Sequence, residues 1–217
     1  MKPRIKICCI GNIAEAEMAI KYGASAIGLV SEMPSGPGVI AEELIAEIAS
    51  SVPSEISTFL LTSKQDTASI IAQQKRCKVK TIQICDTLTD GDYSDFKEEL
   101  PDINIIKVIH VVDDSSVEEA ISIAPLVDGL LLDSGNVSSS VKELGGTGRT
   151  HNWELSKAIV ELAQAPVWLA GGLNPQNIAE AIEAVSPYGV DVCSGVRNDD
   201  KLDEKKLSRF VKNINGA

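Results

Sequence analysis

Two side chains are best placed for proton-transfer chemistry: a thiol near the start of the chain, Cys8, and a carboxyl near its middle, Asp133. Each closes a short apolar run, Ile5–Cys9 and Gly129–Asp133. If both runs are parallel strands of one barrel, both groups point toward the same mouth. A thiolate and a carboxylic acid facing each other across a sugar can act as base and acid. Each also has a plainer reading. Cysteine commonly serves as a small buried filler, and an aspartate at a strand end commonly caps a loop.

Three glycine-bearing turns lie later in the chain. They are Gly145-Gly146-Thr147-Gly148-Arg149-Thr150, Gly171-Gly172 and Ser194-Gly195. Glycines at strand ends let backbone N–H groups approach an anion, and a helix N-terminus adds a favourable dipole. Any one turn need only redirect the chain. Three in succession point to a phosphate held by Gly146, Gly148, Gly171, Gly172, Ser194 and Gly195, on the face where barrels keep such sites.

Cys8, Cys9, Cys85 and Cys193 all fall near strand ends, so a metal has to be considered. No C-x-x-C occurs, and adjacent cysteines on a strand point to opposite faces, so no metal is expected. His110 and His151 have no His or Glu at ligand spacing and read as ordinary hydrogen-bonded polar residues.

Eight apolar, β-branched runs are positioned to carry these groups. They are Ile5–Cys9, Ala26–Val30, Thr58–Leu61, Thr81–Ile84, Ile105–Val111, Gly129–Asp133, Val167–Ala170 and Val190–Cys193. They are continuous rather than alternating, as expected of parallel strands covered on both faces. Amphipathic segments separate them. Ile178, Ala181, Ile182 and Val185 share one helical face, behind an expected Asn174 cap and Pro175. Val117, Ala120, Ile121 and Ala124 repeat that stripe, with Ser116 and Glu119 patterned as a capping box. Ile13, Ala16 and Ile20 mark a first helix. Leu207, Phe210, Val211 and Ile214 mark a last one.

Eight strand–helix pairs fit one α/β domain over residues 1–217, a (β/α)8 TIM barrel. A doubly wound open sheet has the same alternation, but no Gly-rich dinucleotide fingerprint follows the first strand. The loops 31–40 and 134–152 follow strands two and six, on the side where barrels keep their chemistry.

The 217 residues suffice for a large core, which must be aliphatic because aromatics make up only 4%. A net charge of −11 argues against an electrostatic grip on nucleic acid or an anionic membrane. No apolar run approaches a membrane span and the first residues do not resemble a signal peptide. An odd number of cysteines without a regular framework suits a reducing compartment. A cytoplasmic protein is therefore expected.

Several motifs become specific when taken together and in order. They are Lys6-Ile7-Cys8; Leu131-Leu132-Asp133-Ser134; the 145–150 turn with Trp153; Leu169-Ala170-Gly171-Gly172-Leu173-Asn174-Pro175; and Pro187-Tyr188-Gly189-Val190-Asp191-Val192 with Ser194-Gly195-Val196. This set resembles the phosphoribosylanthranilate isomerase family from end to end. The resemblance implies an Amadori isomerase of tryptophan biosynthesis without cofactor or metal, monomeric or homodimeric, whose partner is a small phosphoribosyl substrate. It also implies Cys8 as general base, Asp133 as general acid, Asp191 near the bridging nitrogen of the substrate, and Gln83 as a further contact.

The departures concentrate at the other end of the substrate. Where the family has K-x-C-G, the glycine is replaced by Cys9. Where it has an arginine after strand two for the anthranilate carboxylate, this chain has Ser35-Gly36-Pro37-Gly38. Gln83-Ile84-Cys85-Asp86 stands for Q-L-H-G, and Arg197 for a common glutamate. Arg149 and Arg197 are the candidates to replace the missing cation. The rival readings are a related barrel with a different aglycone or a sugar-phosphate-binding role, and a thiol-based redox or metal-binding protein.

Overall fold

The computed structural model describes residues 2–135, 144 and 150–216. The glycine turn expected at Gly146 and Gly148 lies outside them, as does Arg149.

Eight parallel strands close into a barrel in sequence order. The first four are β1 (Arg4–Ile7), β2 (Ala26–Val30), β3 (Ser57–Thr62) and β4 (Thr81–Ile84). They are followed by β5 (Asn104–His110), β6 (Gly129–Asp133), β7 (Val167–Leu169) and β8 (Gly189–Val192). β1 pairs with β8 to complete the ring, with Lys6 directly opposite Asp191.

The helices are α1 (Ile13–Lys21), α2 (Glu42–Ser51), α3 (Thr67–Cys77) and α4 (Tyr93–Glu99). Then come α5 (Ser115–Ile123), α6 (Trp153–Leu162), α7 (Ile178–Val185) and α8 (Glu204–Asn215). No helix among the described residues is long and apolar enough to cross a membrane.

Side-chain alternation along the strands divides the apolar residues into two clusters. Ile7, Ile27, Leu29, Leu60, Ile82, Ile109, Leu132 and Val190 point outward under the helices. Ala26, Phe59, Leu61, Ile106, Val108, Leu131 and Trp168 fill the lumen. Trp168 meets Phe59 and Tyr188 edge-on, each ring centroid 5.6 Å away. Only glycine fits at Gly189, because a Cβ there would enter the Trp168 ring. The lumen is thus a packed plug, and the chemistry is confined to the layer above it.

Helix starts depend on local polar chemistry. Asn12, Asp66 and Asp203 cap α1, α3 and α8 by accepting from the third amide onward. A capping box does occur, but at α4, between Asp92 and Asp95. The expected box at Ser116 does not form. α5 starts at Ser115, and the Ser116 hydroxyl instead accepts from the Val112 amide and donates to the His110 carbonyl, pinning the β5–α5 turn. Ile121 consequently faces outward, 41% exposed. α7 also starts later than the Asn174 cap implied. Asn174 and Asn177 brace each other through side chain and backbone, so the helix begins only at Ile178. The last helix matches its stripe, with Leu207, Phe210, Val211 and Ile214 all buried.

Candidate active site

The C-terminal mouth of the barrel holds a cavity open to solvent. Cys8, Gln83, Asp133, Gly171, Gly172, Asp191 and Ser194 all line it. Gly195 does not line it directly. It lies one residue behind Ser194, packed so closely on Leu173 and Asn174 that a side chain would collide with their backbone. Gly171 and Gly172 have φ of 79° and 63°, a left-handed backbone that glycine adopts without strain.

Cys8 follows β1 and Asp133 ends β6, and both are buried. Burial and the nearby Asp191 push the Asp133 carboxyl up to about 6, while the Ser134 amide, donating to Oδ1 at 2.7 Å, opposes the shift. A carboxyl at about 6 keeps enough proton near neutrality to serve as an acid. The loop-capping contact to Ser134 therefore leaves the carboxyl able to hold a proton near neutrality. Burial also pushes the Cys8 thiol up, to about 11, with Lys6 pulling it down and Asp191 pushing it further up.

Beneath them sits a buried charge pair. Lys6, with no solvent exposure, donates to Asp191 Oδ2 at 2.7 Å and lies 5.0 Å from the centroid of the Phe59 ring. Burial pulls the Lys6 pKa down. The attraction of Asp191 and of the Cys8 sulfur outweighs this and leaves it above the usual lysine value. The second oxygen of Asp191 is buried without a hydrogen-bond partner, as is Oε1 of Gln83. Two unfulfilled acceptors on one cavity call for a ligand that brings N–H or O–H donors.

The wall on the other side is apolar. Val30, Met33, Pro37, Leu61 and Leu144 face the cavity, and no lysine or arginine does so among the described residues. The 31–40 loop is folded back on the barrel, with Ile40 donating to the Val30 carbonyl at 2.9 Å. Arg197 does not supply the missing cation. Its guanidinium is buried against both oxygens of Glu15 and donates to the carbonyls of Cys8 and Cys9, which ties the β1–α1 turn to the end of β8.

The cysteines differ most from expectation. Cys9 takes φ of 61°, which breaks strand alternation, so Cys8 and Cys9 both face the cavity. Cys9 forms a disulfide with Cys193 across a Cα separation of 5.9 Å. A framework of one bridge therefore exists where none was expected. Gly38 makes room for it, since a Cβ there would strike Cys9. No cluster of three metal-ligating side chains occurs among the described residues. His110 and His151 each use Nε2, toward the Cys85 carbonyl and the Ser156 hydroxyl, and leave Nδ1 buried without a partner, so neither is fully satisfied.

The profile of the N-(5'-phosphoribosyl)anthranilate (PRA) isomerase family matches residues 5–213. The chain belongs to this family. Among PRA isomerases, that of Methanosarcina acetivorans is 32% identical over 99% of this chain and 94% of its own. The Geotalea uraniireducens isomerase is 37% identical over 98% of each. The phosphoribosyl anthranilate isomerase structure from Thermotoga maritima superposes with a TM-score of 0.83 at 26% identity, covering 99% of this chain and 100% of its own. A PRA isomerase solved with reduced 1-(o-carboxyphenylamino)-1-deoxyribulose 5-phosphate superposes with a TM-score of 0.80 at 25% identity, covering 99% of this chain and 100% of its own.

Proposed function

We propose that the chain isomerises N-(5'-phosphoribosyl)anthranilate to 1-(2-carboxyphenylamino)-1-deoxyribulose 5-phosphate, a step of tryptophan biosynthesis. In this reading the Asp133 carboxylic acid gives its proton to the furanose ring oxygen. The C1′–O bond breaks, and the nitrogen lone pair forms the C1′=N iminium. Cys8, as thiolate, takes the C2′ proton. The C–H electron pair becomes a C1′=C2′ double bond and neutralises the nitrogen. The resulting enol passes its hydroxyl proton to solvent while C1′ gains one, giving the ketone. An aldose becomes a ketose with no net oxidation and no cofactor.

The observation that carries this reading is the sharing of one cavity by Cys8, Asp133 and the unfulfilled acceptor of Asp191. Asp191 suits the bridging nitrogen, and the Gly171-Gly172 and Ser194-Gly195 turns suit the 5′-phosphate. Loss of the substrate's fluorescence measures turnover. Cys8→Ser and Asp133→Asn are each expected to lower kcat by about 10²–10⁴-fold, the usual worth of a general base or acid. Either variant turning over at the parent rate would remove the assignment.

The apolar wall of Met33, Pro37 and Leu144 supports a second reading, a related barrel that takes an aglycone without a carboxylate. Losing one charge-assisted contact weakens binding by about one to two decades. Complementation of a tryptophan auxotroph lacking the isomerase separates the two readings. Growth supports the first, and its absence with an expressed, folded protein supports the second.

A further inference from the structure

We infer that Lys6 is a positioning residue for the base, its buried ammonium lying close enough to the Cys8 sulfur to favour formation of the thiolate that takes the proton. The inference rests on the reading of Cys8 as base, but the charge on the sulfur can be measured without turnover.

Lys6 and Cys8 are alternate residues of one extended segment, so both point into the lumen. Gly28, on the neighbouring strand, packs against both. A Cβ placed there would lie 2.7 Å from Cys8 Sγ and 3.2 Å from Lys6 Nζ. The ammonium and the sulfur are therefore within about 6 Å of each other, the range in which an opposite charge favours ionisation. The medium between them is dry, since Lys6 has no exposure and Cys8 only 5%. Low polarity strengthens the effect.

Stability alone does not account for the pair. Desolvating two charges in a lumen otherwise filled by Trp168, Phe59 and Leu131 commonly costs as much as the attraction returns, and apolar replacements do as well or better. What the lysine brings that an apolar residue would not is its charge. Asp191 controls how much of that charge reaches the sulfur. Oδ2 holds the ammonium, while Oδ1 is unpartnered at the cavity. A donor or cation arriving at Oδ1, such as the iminium nitrogen, draws on the carboxylate and leaves more of the Lys6 field for Cys8. The thiol proton leaves to solvent through the open mouth. The other charged or titratable groups that act on or share this space are Asp133 from β6, Cys85 after β4 and Arg197 after β8.

The test titrates the thiol of the free protein by thiolate absorbance near 240 nm and by iodoacetamide rate against pH, with Cys8→Ser as the blank. Lys6→Met is expected to raise the Cys8 midpoint by about one pH unit or more and slow alkylation at neutral pH about tenfold. Asp191→Asn is expected to move both in the opposite direction. A merely structural role would not produce shifts of opposite sign. In Lys6→Met the rising limb of kcat/KM against pH is expected to move with the thiol midpoint. Midpoints that stay at the parent value, or that move together, overturn the inference. If Lys6→Met does not fold, as its melting curve reports, Lys6→Gln takes its place, and an unchanged midpoint there is fatal. Opposite shifts in a protein that never turns over phosphoribosylanthranilate would sink the proposed function but leave this coupling standing.

Discussion

The acid at the mouth of the barrel is held at the expense of stability, and Asp133→Asn exposes that expense as a function of pH. In the folded chain the carboxyl sits at about 6, against an ordinary value of 3.8, chiefly because it is buried. Below pH 4 it carries its proton in both folded and unfolded chains, so it adds no penalty. Between 4 and 6 the unfolded chain releases the proton while the folded chain keeps it, and stability falls as pH rises. Above 6 both forms are ionised and the penalty is complete. The gap corresponds to about 3 kcal/mol. An asparagine keeps an oxygen for the Ser134 amide and never ionises. The variant is therefore expected to match the parent below pH 4 and to exceed it by about 3 kcal/mol above pH 7. For a chain of this length that is a melting-point gain of roughly 6–12 °C. Urea unfolding of both proteins at pH 4 and pH 8 measures it, alongside the loss of turnover. A difference that does not change with pH would refute the assignment of the buried proton to this carboxyl.

Two further outcomes follow from other buried groups. Lys107 is buried under the helices with its ammonium on the Val108 carbonyl at 2.6 Å, and burial lowers its pKa. Its penalty is present while it is charged and fades as pH rises through its folded pKa. Lys107→Met is thus expected to stabilise by about 1 kcal/mol or more at pH 7, with a smaller gain at pH 10 by urea titration. Reducing the Cys9–Cys193 bridge, which spans 184 residues of sequence, is expected to cost about 2–4 kcal/mol. Cys9→Ser should show the same loss and no further response to reductant. A parent protein whose unfolding is unchanged by reductant would contradict this.

Much of the barrel was readable because parallel strands covered on both faces leave uninterrupted apolar runs. All eight runs correspond to strands. Features that depend on departures from ideal backbone were not readable. Strand alternation would point Cys8 and Cys9 apart, but the left-handed turn at Cys9 breaks it and brings Cys193 within reach. Arg197 looked like a spare cation because its partner, Glu15, lies 182 positions away, and only the closed ring brings them together. Helix starts at α5 and α7 shifted because Ser116, Asn174 and Asn177 found tertiary or turn partners rather than capping the nearest amide. The glycines expected at an anion site differ in position. Gly171 and Gly172 line the cavity, while Gly195 lies one step back, as room for a close chain crossing.

Lys6 and Asp191 face each other on the first and last strands, where the ring seals. Cys8 belongs to the opening segment of the chain, and Asp133 and Asp191 belong to its later half. An emerging polypeptide therefore cannot assemble this constellation until its final strand docks on its first. Activity is then a late reporter of folding, silent in every partly wound intermediate. Asp191, which holds the Lys6 ammonium, likewise arrives only when that last strand docks.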